Sequence, residues 1–133
     1  MKELDLQFIG VNPISNIPEF GVTFLGTSSG MDANGLSVSE IIWAGDSRVL
    51  IDAGTSTLAA LKALGLSSKD TTHLVITHMH EDHVAGALAY LQWCKDNNHP
   101  IKLIIEPGIY ELFKNQVKQI LNKNLEEVYD ISV

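Results

Sequence analysis

At 133 residues with 45% apolar side chains, the chain has the size and composition of one globular domain, residues 1–133. A net charge of −7 and a single arginine, Arg48, make a poor electrostatic footprint for nucleic acid, so nucleic-acid binding through this segment is not expected, whereas a phosphate substrate held mainly by metal stays compatible. Cys94 is the only cysteine, which rules out an internal disulfide; no apolar run approaches a membrane span or follows Lys2, Glu3 and Asp5 as an export signal would, and a cytoplasmic chain is expected.

Residues 4–9 read as a short strand, after which Asn12-Pro13 and Ile17-Pro18 interrupt regular structure, so the first twenty residues form an arm or an edge strand. A strand follows over 21–25. Residues 26–35, rich in Gly, Ser, Thr, Asp and Asn, must be loop; they either present backbone N–H groups to a substrate or simply connect a hairpin. Runs 39–44 and 48–52 flank Gly45-Asp46-Ser47, a tight-turn sequence, and form a hairpin. Asp52 ends its second strand. Thr55 or Ser56 caps a helix to about Leu64, with Gly65 as its stop and Leu58, Leu61 and Leu64 as its apolar stripe. Ser67 or Ser68 caps a short turn. His73 precedes the apolar strand Leu74-Val75-Ile76 and reads as structural.

The next stretch is Thr77-His78-Met79-His80-Glu81-Asp82-His83. His78 and His80 lie two apart, so an extended backbone points them the same way and they can share one metal. If the chain turns helical here, Asp82 and His83 are displaced from that pair and can begin a second metal site. Imidazole and carboxylate together suit zinc, iron or manganese. Two such ions about 3.5–4 Å apart activate water and polarise an ester, amide or phosphate. Met79 and Glu81 occupy intervening positions and should point elsewhere.

Val84, Leu88, Leu91 and Cys94 recur at helical spacing, predicting one helix from 84 to 94 that small residues allow close to the sheet, with Cys94 a buried thiol. Residues 95–98 end it, and His99 sits in the polar turn that follows. Residues 101–105 are apolar enough to predict a strand buried on both faces. Pro107 starts a helix striped by Ile109, Leu112, Phe113, Val117, Ile120 and Leu121. Tyr129, Ile131 and Val133 alternate, so 126–133 reads as a final strand. The order is β-rich, then alternating, which defines a mixed α/β class.

Three stretches together resemble the metallo-β-lactamase superfamily. Thr77 to His83 matches its His-x-His-x-Asp-His signature after a strand. Ser47 to Gly54 is similar to its earlier strand ending in Asp-x-Gly, and Phe24 to Gly30 is similar to the N-terminal loop of its phosphodiesterase and ribonuclease-Z-like branches. The resemblance implies half of a four-layer αββα sandwich, a mixed β-sheet with helices on one face, lacking its C-terminal half. It implies His78, His80, Asp82 and His83 as metal ligands, Asp82 also orienting the nucleophile, and two divalent ions, zinc first, with manganese or iron as alternatives. It implies that Asp52 braces the histidine loop through hydrogen bonds. It also implies a further His, a bridging Asp and a last His downstream, but His99 is the sole histidine after His83.

The strands are apolar on both faces while the helices cover one. The other face should therefore be buried by a missing C-terminal half, a second copy or an exchanged segment. A longer enzyme cut short is the simplest source, and a half-length chain that pairs with itself is the second. Three functions fit. The first is a metal-dependent hydrolase of an ester or phosphodiester, incomplete in this chain, acting on a small-molecule or phosphoester substrate. The others are a diiron-type oxidoreductase of the same fold and a non-catalytic, oligomerising fragment.

Overall fold

The computed structural model describes residues 13–29 and 32–133; the strand expected at 4–9 lies outside them. Within them the chain is mixed α/β. Six strands form one sheet in sequential order, β1 to β6: β1 (Phe20–Gly26), β2 (Ser39–Ala44), β3 (Ser47–Ile51), β4 (His73–Ile76), β5 (Ile101–Ile105) and β6 (Ile131–Ser132). β1, β2 and β3 pair antiparallel, and β3 to β6 pair parallel. Gly45 turns the β2–β3 hairpin at φ 59°, a left-handed conformation that costs glycine nothing.

Each parallel step is a helical crossover. α1 (Thr57–Ala63) joins β3 to β4. α2 (Glu81–Val84) and α3 (Ala87–Asp96) join β4 to β5, and α4 (Pro107–Leu121) and α5 (Leu125–Val128) join β5 to β6. Right-handed crossovers that keep stepping in one direction place all their helices on the same side. The core lies on that side: Ile41, Trp43, Leu50, Leu74 and Leu103 are buried there beneath Leu61, Tyr90, Leu91, Phe113 and Val117.

The register shows what is left on the other side. Val22, Ile42, Val49, His73 and Lys102 form one cross-strand row, and Phe24, Glu40, Ile51, Val75 and Ile104 form the next. Phe20, Val22, Phe24 and Ile104 are exposed. The expectation that β5 is buried on both faces is therefore corrected: Ile101 and Leu103 are buried, but Lys102 and Ile104 are open because nothing among the described residues lies over them.

Three other expectations change. The single helix over 84–94 divides into α2 and α3, because Gly86 donates its N–H to the Ala53 carbonyl at 2.8 Å instead of continuing a helix. The final strand shrinks to β6, because Asn124 and Glu127 close a reciprocal capping box, with Asn124 N donating to Glu127 Oε2 at 3.1 Å, and begin α5. In α4, Phe113 and Val117 are buried while Leu112 and Ile120 face solvent, so the apolar stripe is only half used. Glu106 caps that helix by accepting from Ile109 N, with Pro107 in its first turn.

Candidate metal centre

The site is assembled where β3 and β4 end. Beyond β3, Asp52 N donates to Val75 O at 2.8 Å, and Ala53 N donates to His83 O at 2.7 Å. The strand-end loop is thus stitched to both sides of the histidine segment. Two glycines permit this closeness. A Cβ on Gly54 would lie 2.3 Å from the Asp82 carbonyl oxygen, and one on Gly86 would lie 2.0 Å from the Gly54 oxygen. Any side chain there would push the two loops apart.

Asp52 is buried and adopts φ 55°, a left-handed conformation that Asp tolerates better than most residues. Its carboxylate accepts three hydrogen bonds: Thr77 N at 2.8 Å and Thr77 Oγ1 at 2.7 Å, and His83 Nδ1 at 2.7 Å. These roles fix two imidazole tautomers. A carboxylate only accepts, so His83 Nδ1 carries the hydrogen and its Nε2 is the lone-pair nitrogen. The Thr77 hydroxyl likewise gives its hydrogen to Asp52. It must then accept from His78 Nδ1, which lies 2.9 Å away, leaving His78 Nε2 as a lone-pair nitrogen too. Sequence reasoning missed Thr77; the available signal was a hydroxyl residue between a strand end and the first histidine.

The rings converge. His78 and His83 have centroids 4.0 Å apart, and His78 and His80 meet edge-on at 4.6 Å. Asp82 Oδ2 lies 3.5 Å from His83 Nε2. His80 stands at the N-terminal boundary of α2 with extended backbone, φ −64° and ψ 143°, so the chain does turn helical between His80 and Asp82. Of the intervening residues, Met79 packs against the core and Glu81 is exposed. Taken by distance, Asp52, His78 and His83 each place one ligand-type atom within 4.8 Å of the others.

The two remaining histidines of the strand region lie elsewhere. His73 Nδ1 bonds the Thr72 hydroxyl at 2.7 Å, at the start of β4. His99 Nε2 donates to the Thr71 carbonyl at 2.6 Å, at the opposite end of the sheet from His78. Cys94 is buried, and burial pushes its thiol up to about 11, far from a reactive thiolate.

A donor set of imidazole nitrogens with an adjacent carboxylate fits zinc, manganese or iron. The family profile described as "Anti-Pycsar protein Apyc1" matches residues 20–132. A ribonuclease Z of Mycolicibacterium gilvum is 32% identical over 103 residues, covering 73% of this chain and 36% of that protein. A cGMP-dependent 3',5'-cGMP phosphodiesterase A of Dictyostelium discoideum is 28% identical over 117 residues, 88% of this chain and 13% of that protein. The chain thus spans about a third or less of these relatives. Among solved structures, the metallo-beta-lactamase fold protein YhfI from Bacillus subtilis superposes with a TM-score of 0.64 at 20% identity, over 84% of this chain and 42% of that one. The chain has the metallo-β-lactamase fold and belongs to the family described as Anti-Pycsar protein Apyc1.

Proposed function

We propose that this chain carries the metal-binding half of a metal-dependent phosphodiester hydrolase acting on a small phosphodiester rather than on RNA. The observation that carries the reading is the convergence of His78, His80 and His83 with Asp82 beside them, two of the imidazoles turned lone-pair outward by the Asp52–Thr77 pair. Two divalent ions, zinc in the first instance, would be held by His78, His80, Asp82 and His83. Such ions supply Lewis-acid polarisation of a phosphoryl oxygen and a nucleophilic water at neutral pH. Asp52 lies within ligand distance as well. Its oxygens are already spent on three donors, so its part is to hold the imidazoles. Asp82 stands beside His83 Nε2, where a carboxylate can orient an attacking water.

The words ribonuclease and phosphodiesterase in the relatives' names both describe phosphodiester cleavage. The charge of −7 with one arginine favours a small substrate over a polyanion. Among the described residues no helix is long and apolar enough to cross a membrane.

Metal uptake is the sharpest test, since the further ligands implied by the superfamily resemblance have no matching motif after His83. Purified chain should take up zinc or manganese, and His80→Ala should lower the bound metal and any hydrolysis of bis(p-nitrophenyl) phosphate or of 3',5'-cyclic nucleotides. Unchanged metal stoichiometry in His80→Ala would remove the assignment.

A further inference from the structure

The three segments that build the candidate centre, residues 26–38, 52–56 and 77–83, contain no lysine or arginine. β1 runs antiparallel to β2 and β2 to β3, while β3 and β4 run parallel. The loop between β1 and β2 therefore lies at the same end of the sheet as the histidine segment. Arg48 stands at the other end, where β3 begins, and its guanidinium faces Asp70 at 3.7 Å. A phosphate oxygen that the metal ions do not take would find, on these three segments, neutral donors only.

Three hydroxyls gather there. Ser37 Oγ and Thr55 Oγ1 lie 2.9 Å apart, and Ser56 Oγ accepts from Ser37 N at 2.8 Å. Gly54 ties them to the centre. A Cβ built on it would collide with the Ser37 side chain and with the Asp82 carbonyl oxygen together, so Ser37 packs against the backbone of the histidine segment itself. Thr55 is exposed and Ser37 half-buried. The two loops do not need the Ser37–Thr55 contact to stay joined. Ser37 N already reaches Ser56, and the buried Ser39 hydroxyl donates to the Asp52 carbonyl at 2.8 Å.

Each hydroxyl carries one hydrogen. Within the pair one hydroxyl donates to the other, and the hydrogen of the acceptor is left over. The Ser56 hydrogen is left over too, since its oxygen accepts and it makes no cap to its own helix. Among the described residues neither hydrogen has an acceptor. Building on the phosphodiester hydrolase reading above, we propose that Ser37 and Thr55 form a phosphate-binding pair, donating to a non-bridging oxygen of the substrate's phosphodiester, with Ser56 as a second donor beside them. Coupled hydroxyls polarise one another, and a hydrogen bond to an anion is roughly twice as strong as one to a neutral acceptor. Neutral donors hold a singly charged diester without the long-range pull that gathers polyanions, which matches a small substrate.

Zinc-loaded chain titrated with dimethyl phosphate, followed by 31P NMR, tests the pair without requiring turnover. Thr55→Val, at an exposed position, and Ser37→Ala should each weaken dimethyl phosphate binding about tenfold, while Thr55→Ser should bind as the parent does. Zinc affinity, measured by chelator competition, should be unchanged in all three. Dimethyl phosphate affinity equal in the parent and both hydroxyl-deleted variants would overturn the proposal and leave the pair as a link between loops. A loss of zinc affinity matching the loss of phosphate affinity would overturn it as well, since the hydroxyls would then be bracing the centre. A parent chain that takes up zinc but binds no dimethyl phosphate would sink this inference alone; one that takes up no zinc would sink the metal-centre reading and this inference with it.

Discussion

Thr77 is the residue on which the candidate centre turns. It donates to Asp52, accepts from His78, and offers its own N–H to the same carboxylate. Thr77→Val keeps the shape of the side chain and removes the hydroxyl, so His78 loses the group that fixes its tautomer. Partners of this kind are worth about 10–100-fold in metal affinity. A chelator-competition titration should therefore show a loss of that size in Thr77→Val and near-normal affinity in Thr77→Ser; equal affinity in all three proteins would deny Thr77 this role. The sequence singles out His78, His80, Asp82 and His83 because their spacing is itself the chemical signal. It did not reveal the Thr77 relay, since a hydroxyl's donor and acceptor roles depend on what faces it in space. The same limit applies to Ser56. Of the two residues the sequence offers as cap, Thr55 and Ser56, it is Ser56 that stands at the N-cap of α1, but its hydroxyl accepts from Ser37 N at 2.8 Å instead of from the helix.

At the scale of elements, the helix after the histidine loop is governed by a contact that periodicity does not encode. The apolar spacing from Val84 to Cys94 is continuous, but the backbone breaks at Gly86 to reach Ala53. Gly86→Ala would force a Cβ to 2.0 Å from the Gly54 oxygen. Relief requires the strand-end loop to retreat, and overpacking of this kind costs about 1–3 kcal/mol. Urea denaturation should show a lowered midpoint with little change in slope, together with weaker metal binding because Asp52 moves with its loop; a variant as stable as the parent would show that the contact has room to give. Strands and hairpin were readable because alternation and turn residues are local. The last strand was over-extended because alternation at Tyr129, Ile131 and Val133 hid the Asn124–Glu127 capping box just before it.

At the scale of the whole molecule, the decisive feature is a sheet that the described residues cover on one side. Fold class and the open face were both legible in the sequence, since apolar residues on both strand faces outnumber the helices available to cover them. What occupies that face was not, because the pattern registers only that burial is needed. If a second copy does so, folding and association are linked, and apparent stability depends on concentration. The melting temperature should then rise with protein concentration. A concentration-independent melt for the parent chain would mean that the sheet is stable with its second side uncovered.

The strictly sequential strand order also bears on how the chain is made. Each strand pairs with the one synthesised just before it, so no early strand waits for a late one to be inserted beside it. Growth on the ribosome can proceed by accretion, hairpin first and then one crossover at a time. On that schedule the Asp52 carboxylate is already laid down when the histidine segment emerges from the exit tunnel.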